Sequence, residues 1–98
     1  MSKNILEKYS EFQQNTQKKQ FDIKYMALGL GGEVGEVLNE IKKLERDDNN
    51  QLKEDRRNRI ITELGDTMWY FTGICNKIDC SLQQVLANNM AKLSQRNQ

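Results

Sequence analysis

Histidine and proline are both absent from this chain of 98 residues. Without histidine there is no Ser-His-Asp triad, no Cys-His dyad and no His-ligated zinc. The Glu-x-x-His ligands of ferritin-like di-iron bundles are missing too. Any catalysis must use carboxylates, metal-bound water and Lys or Arg. Without proline, nothing forces a break in a helix. The two cysteines, Cys75 and Cys80, match neither a zinc pattern nor a Cys-x-x-Cys redox motif and read as small packing residues. With 15 basic and 14 acidic residues the net charge is +1, so there is no global signal for a polyanion partner. No run of apolar residues is long enough to span a membrane or to act as a signal peptide, and a cytoplasmic location is expected. The apolar fraction of 37% is low, and a domain this small buries proportionally little surface. The expectation is a single domain over residues 1–98 that completes its core by oligomerising.

What is present is helical periodicity almost throughout, with no alternating strand pattern. A first helix is expected over about 3–18, with Ile5, Leu6, Tyr9 and Phe12 on one side. A second covers about 22–46, with a stripe of Ile23, Met26, Ala27, Leu30, Val34, Val37, Leu38, Ile41 and Leu44. A third covers about 52–78, through Ile60, Leu64, Met68, Phe71, Cys75 and Ile78. Between the last two lies Asp47-Asp48-Asn49-Asn50-Gln51, a segment of turn composition. Ser81 followed by Gln84 is a capping box that opens a fourth helix, with a stripe of Leu82, Val85, Leu86 and Leu93. Beyond Arg96 the chain is expected to fray. Four glycines, Gly29, Gly31, Gly32 and Gly35, sit inside the second helix. Each costs about 1 kcal/mol relative to Ala, so they call for close approach of another helix or a ligand, or else a local break.

Two acid-x-x-acid signatures, Glu33-Val-Gly-Glu36 and Glu63-Leu-Gly-Asp66, lie inside the second and third helices. Residues three apart share a helix face. Glu33 and Glu36 follow Leu30 at the same offsets at which Glu63 and Asp66 follow Ile60. Both pairs therefore flank their apolar stripes on the same rotational side. The point halfway between the two signatures falls between Asn49 and Asn50, inside the predicted turn. An antiparallel hairpin folded there brings four carboxylates to one height. Such a group repels itself, and a divalent cation relieves it. All-oxygen ligands suit Mg²⁺ or Mn²⁺.

These signatures, with Asn89-x-x-Lys92-Leu-x-x-Arg96, resemble the MazG-like all-α nucleoside triphosphate pyrophosphohydrolases. The wider match runs from Ala27 to Glu36, resumes over Glu63–Tyr70 and closes at Asn89–Leu93, within a catalytic core of residues 21–96. The resemblance implies a four-helix bundle-like MazG-type fold, oligomeric, with active sites at subunit interfaces in a homodimer or dimer of dimers. It implies metal ligands Glu33, Glu36, Glu63 and Asp66. Arg59 (where Lys is common), Lys92 and Arg96 would contact phosphates, with Lys92 aiding catalysis. Asn89, Gln13 and Trp69 would join the substrate contacts, Phe12-Gln13 with Thr16 being a looser form of the family's base-pocket stretch. Glu33 or Glu36 would orient or deprotonate the attacking water. The implied reaction is Mg²⁺-dependent conversion of a (deoxy)nucleoside triphosphate to monophosphate and pyrophosphate, in a house-cleaning role. Dimeric dUTPase-like or phosphoribosyl-ATP pyrophosphohydrolase specificity and a non-catalytic helical interaction module are the alternatives.

Overall fold

The structure, a computed structural model, describes residues 2–96; Asn97 and Gln98, where fraying was expected, lie outside the described residues. Four helices follow in order: α1 (Ile5–Thr16), α2 (Ile23–Asp47), α3 (Glu54–Lys77) and α4 (Leu82–Arg96). Among the described residues there is no strand, as the all-α reading requires. The helix starts are chemically marked. The side chains of Asn4, Asp22 and Ser81 accept hydrogen bonds from the backbone N–H of Glu7, Tyr25 and Gln84, each satisfying one donor left over at a helix N-terminus.

The α2–α3 turn depends on asparagine. Asn49 (φ 54°) and Asn50 (φ 60°) are both left-handed, a conformation that asparagine tolerates better than most residues. The turn lets the Asp48 and Asn50 N–H groups both donate to the Leu44 carbonyl, closing the end of α2.

The hairpin that follows is antiparallel, and its packing seam has the four-three spacing of a coiled coil. On α2 the seam runs Met26, Leu30, Glu33, Val37, Glu40, Leu44, and on α3 it runs Arg56, Ile60, Glu63, Thr67, Tyr70, Ile74; all are buried or half-buried. This corrects the expected stripe-to-stripe packing. Glu33 and Glu63 occupy the seam itself rather than its flank. The aliphatic residues Val34, Leu38, Ile41, Ile61, Leu64 and Met68 face outward, 41–63% exposed.

Charged residues in a seam must be answered. At the tip they are. Arg56 donates through Nη1 to Glu40 Oε1 at 2.7 Å and through Nε to Asp48 Oδ2 at 2.8 Å. Lys43 Nζ stands 3.6 Å from the other Glu40 oxygen.

α1 crosses the hairpin and is fixed to α3 by polar bonds. Asn76 Nδ2 donates to Gln13 Oε1 (2.8 Å) and to the Ser10 carbonyl (3.1 Å), and Trp69 Nε1 donates to Thr16 Oγ1 (2.9 Å). Gly73 makes this crossing possible, since a Cβ there would stand 2.6 Å from Met26 Sδ and 2.7 Å from Gln13 Nε2. α4 packs against α1, and from Leu86 to Arg96 every residue is exposed. The radius of gyration is 16.1 Å, against about 12.6 Å for a compact chain of this length. Among the described residues the buried apolar core is Met26, Cys75 and Leu82.

The tip network carries a pH signature. The Arg56 hydrogen bond, chiefly, holds the Glu40 carboxyl below its ordinary value of 4.5. A lowered folded-state value stabilises the fold above the unfolded value, and the gain disappears as pH falls through the folded one. Glu40→Gln is therefore expected to be less stable than the parent at pH 7, with the gap closing below about pH 4. Urea unfolding of both proteins across this range checks it.

Candidate metal centre

Midway along the seam, carboxylate oxygens of Glu33, Glu63 and Asp66 lie within 4.8 Å of one another. The chain point halfway between Glu33 and Asp66 is the one expected, between Asn49 and Asn50. The same point lies halfway between Gly29 and Tyr70, which touch one turn further from the tip. The hairpin register predicted from the turn thus holds over this stretch. Glu33 and Glu63 are half-buried and Asp66 is exposed. None of the three has an ion-pair partner among the described residues.

The electrostatic consequence falls on Glu33. Its carboxyl is raised above its ordinary value, first by burial and then by the charges of Asp66, Glu63 and Glu36 and the close approach of Glu63. That is the behaviour of carboxylates forced together with no cation between them. Three oxygens converging from two rigid helices fit a hard divalent cation, and nothing in the donor set suits a soft metal.

Glu36, the fourth expected ligand, is exposed and outside this group, yet near enough for its charge to act on Glu33. Glu36 and Asp66 hold equivalent flanking positions, but only Asp66 closes in on the seam pair. Tyr9 of α1 approaches from the far side. Its hydroxyl is raised by burial and then by Asp66.

Tyr70 sits directly beyond the acids. A Cβ on Gly29 would stand 2.1 Å from its Cε1 and 2.3 Å from its Cδ1. Gly29 is thus the bare patch of α2 on which the Tyr70 ring rests, and α2 continues unbroken through all four glycines. Gly31, Gly32 and Gly35 are different, for an added Cβ meets nothing within 4 Å. Burial, then Tyr25, Glu33 and Asp66, raise the Tyr70 hydroxyl. Behind it Tyr25 stacks on Phe21 at 3.8 Å, and Trp69 meets Tyr70 edge-on at 5.1 Å.

The other expected site residues are dispersed. Arg59 is exposed and unpaired among the described residues. It lines a cleft of about 240 Å³ with Glu40, Asn58, Thr62 and Glu63, one turn from the acids towards the tip. Asn89, Lys92 and Arg96 are exposed on α4, the helix that packs chiefly on α1. Gln13 is fully buried, and its amide is engaged with Asn76 and Gln17. The substrate contact expected there gives way to a core role, holding α1 to α3. Trp69 commits its only polar atom to Thr16.

Residues 21–98 match the family of the MazG nucleotide pyrophosphohydrolase domain. The chain belongs to this family. It is also 38% identical over 74 residues to the gene 37 protein of Mycobacterium phage L5, a match covering 76% of this chain and 65% of that relative. The chain therefore spans just under two thirds of the relative's length. No solved structure matches. MazG domains are nucleotide-processing hydrolases that generally use divalent metal, and this chain carries an acidic cluster in its seam.

Two glycine substitutions separate the contacts. Gly29→Ala must displace the Tyr70 ring and is expected to destabilise by about 1–3 kcal/mol. Gly31→Ala meets open space and is expected to stabilise by up to about 1 kcal/mol. Thermal melts of the two variants, without metal, read out the contrast.

Proposed function

We propose that this MazG domain hydrolyses a (deoxy)nucleoside triphosphate to the monophosphate and pyrophosphate, with Mg²⁺ held by Glu33, Glu63 and Asp66 and with Glu36 joining on closure. The supporting observation is the convergence of three carboxylates in a helix seam without a counter-charge, beside a seam charge, Glu40, that has two. A triphosphate carries about four negative charges and would be repelled by this face unless cations intervened. Mg²⁺ would supply that neutralisation, together with polarisation of phosphate oxygens and a lowered pKa for water.

The chain's own residues do the rest. Glu33 lies within the acid group, close to both Glu63 and Asp66, and either it or Glu36 would orient the attacking water. Arg59, in the cleft beside Glu63, is placed to meet phosphate oxygens with a planar, bidentate donor set. The aromatic group at Tyr70 and Trp69 walls the site on its other side and excludes water there.

Asn89, Lys92 and Arg96 are assigned to phosphate and leaving-group contacts. They would reach the acids from a neighbouring subunit, in a homodimer or dimer of dimers, a reading that accords with their exposure on α4. The outward aliphatics of α2 and α3 supply the surface for that assembly. A house-cleaning role on unwanted nucleotides accords with this chemistry.

A panel of canonical and modified (deoxy)nucleoside triphosphates plus phosphoribosyl-ATP, assayed with Mg²⁺ for monophosphate and pyrophosphate, tests the reaction. Pyrophosphate released from nucleoside triphosphates supports it, and silence across the panel overturns it. Asp66→Asn is expected to lose on the order of 100-fold or more in kcat/KM while keeping its fold. Metal binding has its own readout. Mg²⁺ at about ten times its Kd stabilises by about 1.4 kcal/mol, roughly 5–10 °C in Tm for a chain of this size, and the shift is expected to vanish in Asp66→Asn. Without metal, Glu33→Gln is expected to melt higher than the parent at pH 7. A carboxyl with a raised folded-state pKa opposes folding once ionised, an effect absent at low pH and growing as pH rises through the unfolded value.

A further inference from the structure

The two cysteines, which the proposed reaction does not use, sit at matched positions of one helix cap. α3 ends at Ile78, Asp79 is left-handed (φ 56°), the Cys80 N–H donates to the Cys75 carbonyl at 2.9 Å and the Asp79 N–H to the Asn76 carbonyl at 3.4 Å. This is a Schellman motif, in which the side chains at the two ends of the longer hydrogen bond commonly contact each other. Here both are cysteine, and both are free thiols. The covalent bonds on either side of the 2.9 Å hydrogen bond limit the Cα–Cα separation to about 6.8 Å. Disulfides span about 4.4–6.8 Å.

Their surroundings differ in a useful way. Cys75 is buried at 3% exposure, and burial, with a contribution from Cys80, raises its thiol. Cys80 is half-buried and borders a polar cleft of about 490 Å³ between α1 and the α3–α4 turn. Glu7, Glu11 and Asp79 line that cleft and Lys3 pairs with Glu11, so Glu7 and Asp79 leave it a net negative charge that favours small neutral or cationic reagents over anionic ones.

We propose that Cys75 and Cys80 are a dithiol modification site, oxidised to an intramolecular disulfide by low-molecular-weight disulfides that enter at Cys80. The Cys80 thiolate attacks the reagent's S–S bond, forming a mixed disulfide and releasing one reagent thiolate. Cys80 Sγ, now 3.5 Å from the Ser81 carbonyl, then rotates about its Cα–Cβ bond. The Cys75 thiolate attacks the Cys80 sulfur and expels the second reagent thiolate. The two cysteines are oxidised by two electrons, and the two protons they lose go to the released thiolates. The product staples the end of α3 to the α3–α4 turn, and so restrains the segment from which the helix carrying Asn89, Lys92 and Arg96 departs.

The test is intact-mass spectrometry of the full chain after exposure to cystamine, a dicationic disulfide, at mildly alkaline pH, with acid quenching. The parent is expected to lose two hydrogens, reversibly with a thiol reductant. Cys75→Ser is expected to stop at a one-cysteamine adduct on Cys80, and Cys80→Ser to react far more slowly. The oxidised parent is expected to melt several degrees above the reduced one, since the crosslink restricts the unfolded chain. A parent that stops at the mixed adduct, one that forms only intermolecular disulfides, or a Cys80→Ser variant that reacts as fast as the parent would each overturn the proposal. None of these readouts depends on nucleotide hydrolysis.

Discussion

A carboxylate placed in a helix–helix seam loses water and must find a positive charge. The α2–α3 hairpin meets this constraint twice and answers it in two ways. At the tip, Glu40 is answered internally by the Arg56 guanidinium, which reaches Asp48 as well. Midway, Glu33 and Glu63 receive no such partner, and Asp66 adds a third carboxylate. The first arrangement lowers a pKa and the second raises one. The tip is complete as folded, whereas the middle gathers carboxylates without an ion-pair partner among the described residues. This difference, more than the number of acids, makes the middle rather than the tip the candidate binding centre on the same two helices.

The seam's polar content also explains the rest of the architecture. Every seam position given to Glu, Arg or Thr is withheld from aliphatic packing. The aliphatics the helices do carry are rotated outward, where Leu38, Leu64 and Met68 stand exposed. α1 covers part of the far side and is held by directed bonds from Asn76 and Trp69 rather than by a broad apolar contact. Those bonds are geometrically demanding, so the glycines that matter are the two at crossings, Gly29 under Tyr70 and Gly73 under Gln13 and Met26.

Much of this was legible in the sequence for simple reasons. The Asp/Asn-rich turn has side chains that tolerate left-handed backbone, and Asn49 and Asn50 adopt it. Counting outward from that turn gave the register that brings Glu33 to Glu63 and Asp66. The Ser81 cap was readable because its chemistry is local. Long-range properties were not. Taking the seam to be apolar misplaced it, because Glu40 and Arg56 look like any solvated helix charges when read by hydrophobicity; spacing alone, four then three, would have included them. Gln13, which the resemblance put among the substrate contacts, is buried because Asn76, far along the chain, meets its amide, and nothing local says so. Glu36 and Asp66 are equivalent by offset, and only the actual side-chain directions separate them.

On the proposed reading, catalysis and assembly arise from one displacement. Rotating α2 and α3 so that Glu33 and Glu63 face each other moves Val34, Leu38, Leu64 and Met68 away from the partner helix by the same angle, since all are fixed to the same helical cylinders. A chain with its acids on the outside would have buried those aliphatics and would have no surface to join. One with its acids inside gains a metal cage and an apolar face together. The extended chain and the exposed α4 agree with this: the hairpin supplies the acids and Arg59, and the further cations assigned to a triphosphate, Lys92 and Arg96, lie exposed on α4. On that reading an active site divided between subunits would form only when they meet, and folding of the single chain would not by itself offer solution nucleotides a competent centre.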